Sequence, residues 1–159
     1  MSLTNENVEW NDDYCIGDIE IDREYKKLFN IAKQALAIEK LEEDALIIKA
    51  IKKIIDELSF YVSTHFVIEQ KYMRTIQYPK VEQHTNLHKA IVSDLNKFIS
   101  NLNNLSLEEV KTQLFTIIKS NFIDHIINED KKIVKWETSL DSAEKTFDWH
   151  SSFELGENK

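Results

Sequence analysis

The sequence predicts an all-α protein, an up-down-up-down four-helix bundle preceded by an N-terminal arm. Three observations lead there. The 159 residues contain only two glycines and one proline, too few for the many turns of a strand-rich fold. Apolar residues recur with the helical period over four long stretches. The gaps between those stretches are short, which sets successive helices antiparallel. The length suits one domain with a real core, and 42% apolar with 30% charged residues is a soluble globular balance.

The first helix is expected over about Ile19 to Lys40, with Ile21, Tyr25, Leu28, Ala32 and Leu36 on its inward line. Tyr25 brings a phenol onto an otherwise aliphatic stripe. The second helix is expected over about Asp44 to Met73, with Leu58, Val62, His65, Glu69 and Tyr72 aligned. Pro79 in "TIQYPK" stops it. The third runs over about Lys80 to Leu102, aligning His84, His88, Ile91, Leu95 and Phe98. "NLNNLS" reads as a loop. Ser106 then caps the fourth helix, and Glu109 completes a capping box. That helix is expected to reach about Trp136, with Leu114, Ile118, Phe122 and His125 inward.

Residues 1–136 are therefore read as the bundle with its arm, and 137–159 as a polar linker. The linker repeats the arm. "EWNDDYCIGDIE" from Glu9 and "DWHSSFELGENK" from Asp148 share an acid-Trp pair, an aromatic four positions later, and an aliphatic-Gly-acid run. Chance similarity in a polar tail is one explanation. The start of a second tandem copy is the other, with adjacent repeats as partners.

Net charge is −8, which disfavours nucleic acid and an anionic membrane surface as partners. No run of about 18 apolar residues is present, and the N-terminus lacks the basic and apolar regions of a signal peptide. Cys15 has no internal partner, so a cytoplasmic setting is the expectation.

Four of the five histidines fall on inward faces. His65 and Glu69 lie four apart, as do His84 and His88, so each pair shares one helix face. His125 and Asp130 lie five apart, about 500° around an ideal α-helix, and would miss each other by roughly 140° without a π-bulge. Any one pair alone is ordinary surface or core. Four imidazoles and two carboxylates on three inward stripes need a common cause, because a buried unpaired polar group costs about 1–3 kcal/mol. A buried metal replaces the lost hydration of all six groups. Imidazole and carboxylate without thiolate suit iron, manganese or zinc, and two carboxylates able to bridge favour two ions. Neither the Glu-x-x-His of ferritin-type bundles nor His-Glu-x-x-His occurs.

His-x3-Glu, His-x3-His and His-x4-Asp, in that order on helices two, three and four, resemble the hemerythrin family. The arm "W-x3-Y-x-I-G-x3-I-D", here Trp10, Tyr14, Ile16, Gly17, Ile21 and Asp22, resembles that of bacterial single-domain hemerythrins. The resemblance covers roughly residues 8–136. It implies a non-heme centre of two iron ions, oxo- or hydroxo-bridged. His84, His88 and His125 would hold one iron and His65 the other, with Glu69 and Asp130 bridging. The implied function is binding of dioxygen or a related small ligand for storage, delivery or sensing. A di-iron oxidase or peroxidase, and a metal-poor interaction module of a tandem array, are the alternatives.

One departure stands out. The family closes the shell of the second, oxygen-binding iron with a helix-one histidine three residues after "I-D", and here that residue is Tyr25. No histidine precedes His65, and His150 lies outside the motif. Tyr25 is either a phenolate ligand, a neighbour of the metals, or a plain core residue. Trp10 and Trp136 read as packing, Ile118 and Phe122 as pocket wall or general core, Tyr72 as packing and Cys15 as structural.

Overall fold

The computed structural model describes residues 8–146, with side chains up to residue 141. The second copy of the arm motif, from Asp148, lies outside the described residues. Helix α1 spans Ile19–Ala37, α2 Asp44–Thr75, α3 Val81–Asn101, α4 Leu107–Ile117 and α5 Lys131–Thr146. Two π-helical segments, Ile118–Ile123 and Ile126–Asp130, join α4 to α5, so these pieces form one long fourth helix. Among the described residues there is no strand. Helix α1 packs on α2, α2 on α3, α3 on α4 and α4 on α1, which closes the four-helix bundle.

The fourth helix departs from the sequence reading at its end. It continues past Trp136 to Thr146, because "ETSLDSAEKT" holds neither Gly nor Pro to stop it. "NLNNLS" is also more regular than expected: Leu102–Asn104 forms a 3-10 turn before the Ser106–Glu109 capping box, which is present in full. No helix among the described residues is long and apolar enough to cross a membrane.

The arm motif has a local explanation. Asp18 caps α1 by accepting from the backbone N–H groups of Glu20 and Ile21 at 2.9 and 3.0 Å. One turn on, Asp22 reaches back to accept from Ile16 N–H at 2.7 Å and Gly17 N–H at 3.3 Å. Gly17 turns the chain at φ +94°, a conformation that disfavours side chains. The arm aromatics then land on Phe29: Tyr14 stacks on it at 5.3 Å, and Trp10 meets it edge-on at 5.6 Å.

At the far end, α2 stops by a Schellman motif. Tyr78 N–H bonds Met73 C=O at 2.8 Å, and Gln77 N–H bonds Arg74 C=O at 3.2 Å. Gln77 takes the left-handed position, φ 55°. Trp136 donates its indole N–H to Ile76 C=O at 3.3 Å, pinning the fourth helix to this turn. Tyr72, expected only to pack, also donates its hydroxyl to Glu137. Leu28, Leu58, Leu95, Leu114 and Ile118 fill the middle of the bundle, and the polar stripes converge among them.

Candidate metal centre

His65, Glu69, His84, His88, His125, Asp130 and Tyr25 are all buried, and the bundle brings all seven to one interior locus. Helix α2 supplies His65 and Glu69, α3 supplies His84 and His88, and α1 supplies Tyr25. The fourth helix supplies His125 and Asp130. Their five-residue spacing converges because the π segment Ile126–Asp130 lies between them. An i→i+5 turn returns the fifth residue to the face of the first, and His125 Nε2 lies 3.0 Å from Asp130 Oδ1.

Five groups surround one point. The Nε2 atoms of His88 and His125 are 3.0 Å apart, and those of His125 and His84 3.1 Å. Glu69 Oε2 lies 3.0 Å from His88 Nε2 and 3.2 Å from His84 Nε2. Asp130 Oδ1 lies 3.2 Å from His84 Nε2. These five ligand-type atoms all lie within 4.8 Å of one another. Three ring nitrogens meeting this way cannot all satisfy each other, because each either donates or accepts. Asp130 Oδ1 is buried and has no hydrogen-bond partner in spite of the nearby nitrogens. Ligands at right angles on one ion, with bonds of about 2.1 Å, lie about 3.0 Å apart. The spacing therefore fits a cation at the common focus better than any network of hydrogen bonds.

The other oxygen of each carboxylate turns the opposite way. The Tyr25 hydroxyl lies 2.8 Å from Glu69 Oε1 and 2.9 Å from Asp130 Oδ2, and its one proton is shared between them. His65 Nε2 lies 3.8 Å from Glu69 Oε1, and His65 Nδ1 is buried without a partner. Each carboxylate thus offers one oxygen to the three-histidine side and one to the Tyr25–His65 side. That is the disposition a bridging carboxylate needs.

Electrostatics set the protonation of these side chains before any metal binds. Burial, then the charges of Asp130 and Glu69, push the Tyr25 phenol well above its ordinary value, so its proton stays on. Burial works against a charge on His84, but the adjacent carboxylates of Asp130 and Glu69 outweigh it and push the group up to about 9. Burial lowers His65 and His88. Burial alone would raise Glu69, yet hydrogen bonds to His84 and His88 hold it well below the usual carboxylate range. A metal must displace the protons on His84 and Tyr25 to use both sides.

Hydrophobic and aromatic side chains wall the cluster. Ile118 and Phe122, read as wall or core, are both buried, and Phe122 meets Tyr61 edge-on at 6.1 Å. Two contacts were not anticipated from the sequence. Tyr61 stacks on His65 at 4.7 Å and 15°, and Phe66 stacks on His88 at 3.8 Å and 9°. Tyr61 could have been found, since it precedes His65 by one turn on the same inward face. Phe66 sits beside that line, and only the α2–α3 packing brings it over His88.

Comparison with known proteins agrees with this geometry. Residues 18–136 match the family model described as the hemerythrin HHE cation binding domain. The chain belongs to the hemerythrin family. This hemerythrin-family chain is 28% identical over 117 residues to a bacteriohemerythrin of Campylobacter jejuni, covering 73% of this chain and 84% of that one. It is 27% identical over 127 residues to a bacteriohemerythrin of Clostridium acetobutylicum, covering 79% and 97%. A hemerythrin-like protein of Naegleria gruberi is 24% identical over 123 residues, 77% and 87% of the two chains. No solved structure matches it significantly. The family membership and the buried His/Glu/Asp cluster together make this a metal-binding hemerythrin bundle.

Proposed function

We propose that the chain holds two iron ions between its helices and binds dioxygen or a related small ligand there. The observation that carries this reading is the split of the two carboxylates. Glu69 Oε2 and Asp130 Oδ1 join His84, His88 and His125 on one side, and Glu69 Oε1 and Asp130 Oδ2 join Tyr25 and His65 on the other. On this reading the first three histidines hold one iron, His65 and Tyr25 complete the other, and Glu69 and Asp130 bridge. A ferrous pair supplies the electrons that dioxygen binding requires.

The protein's own residues set the terms. Tyr61 and Phe66, stacked on His65 and His88 with Phe122 packed against both, shield the cluster from bulk water. Tyr25 offers a hard anionic oxygen once its proton is displaced, and such a ligand favours ferric over ferrous iron. Tyr25 therefore bears against easy reversibility. The proximity of its hydroxyl to both bridging carboxylates favours a second reading, a di-iron oxidase or peroxidase.

One experiment separates the two. The iron-loaded protein is reduced anaerobically, exposed to oxygen, and then degassed. The binding reading expects about two irons per chain and an oxygen-dependent absorption change that reverses on degassing. Irreversible oxidation, with turnover of added peroxide, would support the enzyme instead. Less than one tightly held metal per chain would refute both.

A further inference from the structure

A second feature lies outside the metal cluster, in the groove between α1 and α2. It is a cavity of about 430 Å³ lined by Glu24, Lys27, Asp56, Glu57, Phe60 and Tyr61, among others. That volume suits a small organic molecule. The pocket has a buried floor and an apolar lip. Glu24 is only 7% exposed and Tyr61 3%, whereas Phe60 presents a ring that is 66% exposed.

Two of those groups, Tyr61 and Asp56, are left open to a ligand that is not the protein. The Tyr61 hydroxyl makes no hydrogen bond with any described residue, although its ring is held firmly on His65. A phenol that lines a groove and has no partner from the protein is satisfied by whatever fills the groove. Asp56 has no ion-pair or hydrogen-bond partner among the described residues. Glu24 is paired with Lys27 inside the pocket, and Glu57 with Lys53 at its rim, at 3.6 Å, while also accepting from Gln34 at 3.1 Å. Lys27 and Lys53 offset two of the three carboxylates, and Asp56 leaves the groove with one net negative charge. Anions are therefore repelled, and a cation is attracted.

We propose that the groove is a binding site for a small organic ammonium ion with an apolar body. Its N–H groups donate to Asp56, Glu57 and the Tyr61 oxygen, and its body lies against Phe60. Several N–H donors on one charged nitrogen match a phenol oxygen and two carboxylates at once. The apolar body gains from covering a ring that is otherwise in water. The site is independent of what occupies the metal centre. It shares only Tyr61 with that centre's surroundings.

The test uses the full-length protein and 2-phenylethylammonium chloride as probe, followed by NMR titration. Phenylacetate, of similar shape and opposite charge, is the control. The expected result is saturable binding that shifts the Phe60 and Tyr61 ring signals, with phenylacetate at least about tenfold weaker. Tyr61→Phe keeps the stack on His65 and removes only the hydroxyl, and should weaken the probe by about three- to tenfold. Asp56→Lys, at an exposed position that leaves the core untouched, should weaken it by about tenfold or more. Absence of saturable binding up to about 10 mM would overturn the proposal. So would equal affinity for phenylacetate, or insensitivity to either variant.

Discussion

Tyr25→Phe should erase the visible phenolate-to-iron band of the iron-loaded protein. A phenolate bound to ferric iron gives a charge-transfer band in the visible region that neither imidazole nor carboxylate supplies. The Tyr25 hydroxyl lies 2.8 and 2.9 Å from one oxygen of each proposed bridging carboxylate, about the separation of adjacent ligands on one ion. Phenylalanine fills nearly the same volume and takes away only the oxygen. In the metal-free protein the variant leaves Glu69 and Asp130 without their buried donor, at a cost of about 1–3 kcal/mol. The optical change and the thermal shift thus come from one atom. Tyr25→His gives the complementary gain: it supplies the helix-one imidazole that the sequence resemblance implies here, and oxygen binding should then reverse more completely than in the parent. Spectra of the three proteins, reduced and re-exposed to oxygen, check this. A band that persists unchanged in Tyr25→Phe would place the phenol off the metal.

Glu69→Ala should be the most damaging single change for iron content, because Glu69 faces both halves of the cluster. Its Oε2 lies within 3.2 Å of His84 and His88, and its Oε1 within 3.8 Å of His65 and 2.8 Å of Tyr25. Elemental analysis is expected to fall from about two irons per chain to below one. The metal-free variant should also lose stability, because it strips one of the two carboxylates 3.2 Å from the buried His84, and breaking a buried ion pair costs about 3–5 kcal/mol. Glu69→Gln separates the two effects. It keeps the volume and one carbonyl oxygen but not the charge, so the fold should survive better than the iron does. Full iron retention in Glu69→Ala would contradict a bridging role.

Much of this was legible in the sequence because the bundle repeats one rule. Inward residues follow the helical period, so His65 with Glu69 and His84 with His88 could be placed on shared faces before any coordinates. Scarce glycine and proline, together with the Ser106–Glu109 box, marked the helix boundaries closely. The period also exposed its own failure, since a five-residue step does not return to one face of an α-helix. The π segment at Ile126–Asp130 resolves that conflict at the site itself, where irregular helices are often found.

What remained hidden depends on packing between helices. No periodicity states that Phe66 will lie flat on His88, or that Tyr61 will stack on His65 while lining a groove. The extension of the last helix to Thr146 was hidden for a different reason. Its sequence is polar and weakly periodic, and a polar stretch reads as a tail unless propensity alone is weighed. Tyr25 was visible as an anomaly, but only the fold gives it its two carboxylate neighbours at once.

The most direct measurement is a stepwise anaerobic titration of the metal-free protein with iron, oxidised after each addition and followed in the visible. The three-histidine side is the better preorganised, with five ligand atoms already converged and only the His84 proton to lose, whereas the other side must displace the more tightly held Tyr25 proton. The first equivalent should therefore add little phenolate absorption, and the band should rise with the second equivalent and stop there. A band that appears in full with the first equivalent, or never appears while two irons bind, would contradict a Tyr25-completed second iron site.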